Sequence, residues 1–501
     1  METKEFTRYK KYWTNINHFQ NILSLLHWDS EILLPENARQ ERADQIAVLS
    51  TKIHESFVSE ELDEILHNLK NNLSNSTSNE QELFLLTREL EVLEKQRNRT
   101  KKLPSDLVEN FSRTTNLAHG IWSEARKNKN FNEFSEVLEK IVSLSKEMAD
   151  CYGYEKERYD ALLEGYESDT KSEVLEKLFL HLKNSLIPLI NQSKFYSNPF
   201  TKQIPIEYQM NLCSKLPSLL GLSDKSSRLD PSLHPFSTSI GKFDKRITTR
   251  YDEKDPLSAI LAVMHEVGHA MYEQGLSTMQ GYPSPLTEAL SYGVHESMSR
   301  LWENQIGRSK AFWSYYYPIF IKELQIYHYD LPFETLYKYV NSVQKTKIRV
   351  EADQVTYNLH IILRFEIERE LISGDLKVKD LPGLWNQKMK DYFDLEIEND
   401  AEGVLQDIHW SGGSFGYFPT YTLGNIYSAQ LFHAFHSTNE DFWNQVESKG
   451  DFTSLHKWLE KHVYHKGKIL DPKNLVKDAT GEEPNSVYLE KFLKSKLREI
   501  D

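Results

Sequence analysis

Residues 255–275 read DPLSAILAVMHEVGHAMYEQG, and this stretch has the pattern of a buried helix. Asp255 is a typical N-cap residue and Pro256 a typical first helical residue, while Gly275 stands where such a helix would end. Apolar residues recur between them at helical spacing. They are Leu257, Ile260, Leu261, Met264, Val267 and Met271. The sequence therefore predicts a helix with a buried face over this stretch.

The same helix carries an H-E-x-x-H pattern, residues 265–269. Its two imidazoles stand one turn apart on one face, with about 6 Å between them, which suits two nitrogen ligands on one metal ion. Glu266 points about 100° away around the helix, so it is better placed as a general base for a water molecule than as a ligand. The alternative, two surface histidines, fits poorly with the apolar neighbours. We predict a zinc site formed by His265 and His269, with Glu266 as catalytic base.

A catalytic zinc site has a third protein ligand and one open position. The next acidic residues along the chain are Glu273, Glu288, Glu296 and Glu303. Glu273 lies on the same helix, and a straight helix cannot bring three ligands together. A second helix is predicted over residues 284–308, and from it both Glu288 and Glu296 have the reach. The neighbouring His295 favours Glu296, because a histidine beside a ligand can support it by a hydrogen bond.

The rest of the chain is predicted to be mostly helical. Helical periodicity covers residues 301–345, 347–373 and 452–500, and glycine and proline are sparse, with 20 and 17 in 501 residues. The exception is residues 236–251, which are β-branched and aromatic with Gly241 as a turn, so we predict a hairpin. An Asn- and Ser-rich stretch, residues 71–79, is expected to be an exposed loop. The prediction is an all-α fold with a small β-hairpin or sheet beside the active site.

Composition excludes several classes of partner. The net charge of −14 argues against nucleic acid and against an anionic membrane surface. The apolar stretches are far shorter than the ~20 residues that a membrane span needs, and no signal peptide is visible. Cys151 and Cys213 cannot form a disulfide framework, and so few cysteines are typical of a reducing cytoplasm. We expect a cytoplasmic protein with no nucleic-acid or membrane partner.

Six spaced motifs make the chain similar to a known family. They are His234-Pro-Phe236, Asp244-Lys-Arg-Ile-Thr248, His265-Glu-Val-Gly-His269, His295-Glu-Ser297, Ile348-Arg-Val-Glu-Ala-Asp353 and Gly403-Val-Leu-Gln-Asp-Ile-His-Trp410. In this order they resemble the carboxypeptidase Taq family of zinc metallocarboxypeptidases over almost the whole chain. One departure is Met298, where the family usually has glutamine.

The resemblance implies a mostly helical, zincin-like fold with a deep groove. It also implies zinc, sometimes replaced by cobalt, as the cofactor, peptides with a free C-terminus as substrates, and a homodimer. By this match Glu296 is the third metal ligand. We expect a single domain, residues 1–501, with two helical halves flanking the groove. Its parts are a mainly N-terminal helical half (1–230), the catalytic motifs (231–435) and C-terminal helices (436–501).

Release of C-terminal residues requires recognition of a free carboxylate. A fixed guanidinium does this best, through two parallel charge-assisted hydrogen bonds. Arg349 is the candidate that matches the family motif. The alternative is an ion pair with Asp353 at i+4, and both can hold if Asp353 orients the arginine within the substrate site. Arg246, in the predicted hairpin, is the second candidate for this role.

The tetrahedral intermediate of peptide hydrolysis needs a hydrogen-bond donor for its oxyanion. Residues 409–421 read HWSGGSFGYFPTY, in which glycines permit a close loop and two tyrosines follow one turn apart. The segment is similar to one in related oligopeptidases in which a tyrosine assists the transition state. We predict Tyr421 as the oxyanion donor, with His409 and Tyr417 contacting substrate. Aromatic packing around a glycine loop is the alternative for all three.

Three functions remain open from the sequence. The first is a metal-dependent carboxypeptidase that releases C-terminal amino acids by means of zinc-activated water and a glutamate base. The second is an endo-acting zinc oligopeptidase on the same helix. The third is a non-catalytic helical scaffold for peptides, although such a scaffold has no reason to keep Glu266.

Overall fold

The structure, a computed structural model, describes residues 3–73, 79–277, 279, 281–325 and 330–500. Helices form most of it, and a small sheet interrupts them. The helices before the sheet are α1 (Lys4–Ile32), α2 (Arg39–Val58), α3 (Glu60–Asn71), α4 (Glu80–Lys101), α5 (Ser105–Asn128), α6 (Asn132–Tyr152), α7 (Arg158–Leu163), α8 (Ser172–Gln192) and α9 (Ile206–Leu219). Residues 74–78 of the expected loop at 71–79 lie outside the described residues.

The helices that follow the sheet carry most of the predicted site. They are α10 (Pro256–Leu276), α11 (Tyr292–Arg300), α12 (Lys310–Gln325), α13 (Phe333–Val340), α14 (Tyr357–Ser373), α15 (Leu381–Phe393), α16 (Pro419–His436), α17 (Phe442–Lys449), α18 (Thr453–His462), α19 (Pro472–Thr480) and α20 (Val487–Ile500). The predicted fold class, mostly helical with a small sheet, is confirmed.

The sheet has three strands, β1 (Ser227–Pro231), β2 (Ser237–Gly241) and β3 (Asp244–Thr249). β2 and β3 are antiparallel and form the predicted hairpin, with Gly241 opposite Asp244. β1 joins β3 in parallel, so β3 is central. The sequence did not indicate β1. At its end β3 contacts α10, where the Thr249 hydroxyl donates to the carbonyl of Ala259 (3.3 Å). The sheet is therefore packed against the helix with the H-E-x-x-H pattern.

Helix α10 begins where the sequence predicted. The Asp255 side chain accepts a hydrogen bond from the amide of Leu257 (3.2 Å), and Pro256 is the first helical residue. The helix ends at Leu276, one residue beyond Gly275. Most of the predicted apolar stripe is buried, and Leu261 is half-buried. Helix α10 therefore runs through the core and fixes the direction of the side chains on it.

The prediction of one regular helix over residues 284–308 is wrong in two respects: the helix begins later, and it is not regular to its end. A 3₁₀ turn covers residues 285–287, and α11 begins only at Tyr292, because the Ser291 side chain caps the amide of Val294 (3.0 Å). After Arg300 the helix widens into a π-turn, Leu301–Ile306. Such turns are rare and concentrate at functional sites, where they redirect side chains.

The other long helices predicted from periodicity are also interrupted. Residues 301–345 contain the π-turn, α12 and α13, residues 347–373 become helical only from Tyr357, and residues 452–500 divide into three helices. A large core contains the interiors of α10, α11, α14 and α16, and a smaller core joins α1, α3 and α4. Among the described residues, no helix has both the length and the apolar character that crossing a membrane requires. The division at residues 230 and 435 stays a prediction.

Candidate metal centre

The structure brings His265, His269 and Glu296 together. Glu296 Oε2 lies 3.6 Å from His265 Nε2 and 3.5 Å from His269 Nε2. The three ligand atoms lie within 4.8 Å of one another, so they can share one ion. Two imidazoles from successive turns of α10 therefore face one carboxylate from α11, as the sequence predicted.

Two glycines allow the helices to approach this closely. A Cβ atom on Gly268 would lie 2.5 Å from the carbonyl oxygen of Met298, so α10 and α11 touch at their backbones. A Cβ atom on Gly424 of α16 would lie 2.5 Å from Glu296 Cγ. Glu296 is thus held between α10 and α16 by contacts that leave no space for a methyl group. The Met298 side chain, at the departure from the family pattern, is fully buried.

Hydrogen bonds fix the orientation of His265 and Glu296. Glu303 Oε2 lies 2.9 Å from His265 Nδ1, which leaves Nε2 directed at the site. The other oxygen of Glu296, Oε1, accepts a hydrogen bond from Arg300 Nε (2.7 Å), and the Ser299 hydroxyl donates to Oε2 (3.0 Å). Burial raises the pKa of Glu296, but Arg300 and His265 outweigh burial and hold the pKa well below its usual range. Glu296 is therefore an anion.

His295 supports the other imidazole by stacking. Its ring lies 4.3 Å from that of His269, at an interplanar angle of 27°. Glu273 Oε1 lies 3.0 Å from His295 Nε2 and fixes that ring in turn. The sequence predicted His295 as a supporting residue of the metal site, and the residue that it contacts is the predicted ligand His269. Glu288, the other candidate for third ligand, pairs with Lys468 (2.5 Å).

The three residues fit zinc by their chemistry. Two imidazole nitrogens and one carboxylate oxygen are a donor set that catalytic zinc uses, and they leave an open position. A ligand histidine that gives its other nitrogen to a carboxylate is equally typical of such sites. The pair formed by His265 and Glu303 has this arrangement.

Glu266 is placed beside these residues but on a different side of α10. It is buried, with 6% of its surface exposed, and its charge interacts with those of His265, Glu296 and His295. Burial raises the pKa of Glu266 to about 7. A carboxylate with this pKa can both accept and release a proton near neutral pH. The arrangement suits the predicted general base.

The predicted oxyanion donor belongs to a cluster of aromatic side chains. The hydroxyl of Tyr421 lies 3.2 Å from His409 Nε2, and its ring is 5.2 Å from that of Tyr417. Burial lowers the pKa of His409 to about 4, so its imidazole is neutral near neutral pH. Tyr421 lies one turn before Gly424 on α16, on the face that packs against Glu296. The structure thus groups all three predicted residues near the metal ligands.

Arg349 is buried in a network that differs from the predicted one. Its Nε donates to Asp407 Oδ1 (2.9 Å), and its Nη1 donates to the hydroxyl of Tyr357 (3.0 Å). Arg364, on α14, binds the other oxygen of Asp407 (2.7 Å). Burial raises the pKa of Asp407, but the two guanidinium groups lower it far below its usual range. Asp407 is therefore a fixed anion that orients Arg349.

The ion pair with Asp353, which the sequence left open as an alternative for Arg349, is wrong. Asp353 accepts hydrogen bonds from the amides of Gln344 (3.0 Å) and Val355 (2.8 Å) and from the Thr356 hydroxyl (2.7 Å). It therefore caps the chain before α14. A short 3₁₀ turn, Arg349–Glu351, and not the predicted helix carries Arg349, so the i+4 spacing brings no pairing.

Arg246 has partners of its own on the sheet. It forms a bidentate pair with Asp244 (2.9 and 3.0 Å). Its guanidinium also lies 4.2 Å from the centre of the Trp28 ring, on α1. These contacts explain Arg246 as part of the junction between β3 and α1. A substrate role for it stays a prediction.

A cavity opens beside the centre. It has a volume of about 1010 Å³ and extends from His295 and Glu273 to the residues of α4 around Arg99. Its lining includes His295, which stacks on His269, but not His265, Glu266, His269 or Glu296 themselves. The deep groove at the metal centre stays a prediction.

Four residues of the network were not identified from the sequence: Arg300, Tyr357, Arg364 and Asp407. Arg300 follows Glu296 at i+4, a spacing that indicates a contact on a helix. Asp407 lies in the quoted motif at residues 403–410. Tyr357 gave no signal, since nothing in its neighbours indicates a contact with Arg349. Glu303, one of the acidic residues considered as third ligand, instead contacts the predicted ligand His265.

Comparisons with known proteins match nearly the whole chain to one family. The family model described as "Carboxypeptidase Taq (M32) metallopeptidase" matches residues 8–497. "Carboxypeptidase 1" of Bacillus subtilis is 38% identical over 494 residues, 97% of this chain and 96% of that protein. "Thermostable carboxypeptidase 1" of Pyrococcus furiosus is 37% identical, over 98% and 97%.

Solved structures lead to the same family. The crystal structure of an M32 carboxypeptidase from Deinococcus radiodurans superposes with a TM-score of 0.94 and 31% identity, and 99% of each chain is covered. The match extends over both the site helices and the helices around them. The chain therefore belongs to the carboxypeptidase Taq (M32) family of metallopeptidases and is a metal-dependent carboxypeptidase.

Proposed function

We propose that the protein uses zinc to release single amino acids from the C-terminus of peptides, with His265, His269 and Glu296 as the metal ligands. The observation that carries the proposal is that three ligand atoms lie within 4.8 Å of one another, next to the buried Glu266. Cobalt has similar ligand preferences and is the alternative metal.

Zinc bound there would polarise the carbonyl of the scissile bond and lower the pKa of water toward ~7. Glu266 takes the proton of the attacking water and then passes it to the nitrogen of the leaving amino acid. A pKa of about 7 suits both transfers near neutral pH.

Tyr421 donates its hydroxyl proton in a hydrogen bond to the oxyanion of the tetrahedral intermediate. Its contact with His409 Nε2 (3.2 Å) supports this role, because it restricts the position of the hydroxyl. His409 and Tyr417 complete the wall that faces the substrate. The neutral state of His409 avoids a further buried charge beside Arg349.

Arg349 binds the C-terminal carboxylate of the substrate. Among the described residues, Asp407 lies against Nε and Nη2 and the Tyr357 hydroxyl accepts from Nη1, so two of the five N–H groups are left for a substrate. Asp407, itself held by Arg364, and Tyr357 hold the guanidinium in place, so that little ordering is needed when the peptide binds.

Product analysis with matched peptides tests the proposal. The zinc-loaded protein is incubated with a peptide that has a free C-terminus and with the same peptide amidated, and the released products are identified by mass spectrometry. Stepwise release of single residues from the free peptide alone is expected. Internal fragments would establish an endo-acting oligopeptidase, and no cleavage of either peptide would favour a non-catalytic scaffold.

Location and assembly complete the proposal. Cys151 and Cys213 are both free thiols, which suits a reducing cytoplasm. We assign the protein to the cytoplasm and expect a homodimer, by its resemblance to the family. Light scattering of the purified protein should give a mass of twice 58.7 kDa. A mass of one chain would contradict the dimer.

A further inference from the structure

Arg300 holds two carboxylates of the metal centre with one guanidinium. Its Nε donates to Glu296 Oε1 (2.7 Å), and its Nη1 donates to Glu303 Oε2 (3.0 Å). Glu303 Oε2 also lies 2.9 Å from His265 Nδ1. One side chain therefore contacts a predicted metal ligand directly and reaches a second through a single carboxylate.

The contact with Glu296 separates the roles of its two oxygens. Oε2 faces both histidines at 3.6 and 3.5 Å and has the Ser299 hydroxyl at 3.0 Å, while Oε1 is bonded to the Arg300 cation. A carboxylate with one oxygen held in this way presents a single oxygen to an ion. A carboxylate with both oxygens free can bind through two, and would then use a coordination position that water and substrate need.

Arg300 is itself fixed by its surroundings. Its side chain is 12% exposed, and the guanidinium lies 4.4 Å from the centre of the Tyr357 ring, a cation–π contact. The hydroxyl of Tyr357 accepts a hydrogen bond from Arg349 Nη1 (3.0 Å). Arg300 therefore stands between the metal ligands and the arginine assigned to the substrate carboxylate.

The π-turn explains how the chain supplies both acidic partners. Glu296 lies on α11, one turn before Arg300. Glu303 is the third residue of the π-turn, Leu301–Ile306. Arg300 is the last residue of α11 and so lies where the two geometries meet. Widening the helix after it changes the direction in which Glu303 leaves the backbone.

We propose that Arg300 is a positioning residue that keeps Glu296 a one-oxygen metal ligand. Through Glu303 it also holds the His265 imidazole in the orientation that lets His265 and Glu296 share one ion. The inference rests on the proposed function, since it assigns a role toward the same metal. It concerns the affinity and the coordination of the metal, which can be measured without turnover.

Metal affinity and coordination test the proposal in Arg300→Gln and Arg300→Lys. Competition with a chromogenic chelator gives the zinc dissociation constant, and the visible spectrum of the cobalt-loaded protein reports coordination number, because four-coordinate Co²⁺ absorbs more strongly than five-coordinate Co²⁺. We expect Arg300→Gln to raise the dissociation constant by roughly 10- to 100-fold and to weaken the cobalt absorption. Arg300→Lys retains the charge and one donor, so we expect it to recover a large part of the affinity.

Arg369→Gln is the matched control. Arg369 forms a bidentate pair with Glu157 (3.1 and 3.0 Å), at residues to which no role in the metal site is assigned. Its loss should lower the free energy of unfolding but leave zinc affinity and the cobalt spectrum unchanged.

The outcomes separate this inference from the proposed function. Wild-type affinity and cobalt spectrum in both Arg300 variants would overturn the inference, as would an equal loss of affinity in Arg369→Gln. If Arg300→Gln does not fold, Arg300→Lys decides: an intermediate affinity with an altered spectrum supports the role, and wild-type values refute it. A wild-type protein that binds zinc tightly but releases no C-terminal residues would refute the proposed function alone.

Discussion

Replacement of Gly424 by alanine should disable the metal centre although all three predicted ligands remain in the sequence. The added Cβ atom would lie 2.5 Å from Glu296 Cγ and 2.7 Å from Glu296 Cβ. Carbon atoms in contact lie about 3.5–4.0 Å apart, so α16 and the Glu296 side chain must separate by about 1 Å. Metal sites tolerate changes of only about 0.2 Å in ligand distance.

The expected effect follows from this displacement. Glu296 would leave the position that it shares with His265 and His269, and zinc affinity should fall by on the order of 100-fold or more. Overpacking of α16 against α11 should also lower the free energy of unfolding by about 1–3 kcal/mol. Chelator competition measures the first quantity, and urea unfolding of the metal-free protein measures the second.

Gly120→Ala is the control for this substitution. Gly120 is an exposed residue inside α5, and a Cβ atom there would have no heavy atom within 4 Å. Alanine should stabilise that helix by about 1 kcal/mol and leave zinc affinity unchanged. A Gly424→Ala protein that binds zinc like the wild type would refute the reasoning, because it would show that Glu296 can move by 1 Å without consequence.

Four further substitutions test individual residues. Glu266→Gln should retain zinc but lower kcat by about 10²- to 10⁴-fold, measured by peptide hydrolysis and metal analysis. Tyr421→Phe should lower kcat by about 10²- to 10³-fold with little change in KM, because it removes an oxyanion donor. Arg349→Ala should raise KM for peptides with a free C-terminus by at least about 10-fold, with zinc affinity retained. Burial raises the pKa of Glu167 to about 7, from 4.5, so the folded state keeps a proton that the unfolded state has lost and stability falls as pH rises. The free energy of unfolding of Glu167→Gln relative to the wild type should therefore rise by about 2–3 kcal/mol between pH 5 and pH 8, measured by urea unfolding.

Local rules predicted the part of the fold that positions the metal ligands. Asp255 and Pro256 mark the start of α10 because N-cap and first-turn preferences act between neighbouring residues. The hairpin was identified in the same way, from β-branched residues around Gly241. The π-turn after Arg300 was not predictable, since periodicity cannot distinguish a widened turn from a regular helix.

Long-range contacts account for what the sequence could not indicate. The partner of Arg349 is Asp407, 58 residues away, whereas the spacing suggested Asp353. The spacing argument applies only inside a helix, and the chain around Arg349 forms a short 3₁₀ turn instead. In the same way, β1 joins β3 in parallel. Parallel neighbours are not connected by a short turn, so no turn motif in the sequence indicates this pairing.

One measurement decides whether His265, His269 and Glu296 share a zinc ion. Anomalous diffraction is recorded from crystals of the zinc-loaded protein on both sides of the zinc absorption edge. The account predicts one strong peak, about 2.0–2.2 Å from His265 Nε2, His269 Nε2 and one oxygen of Glu296. A peak elsewhere, or no peak in crystals that contain zinc in equal amount to protein, would contradict it.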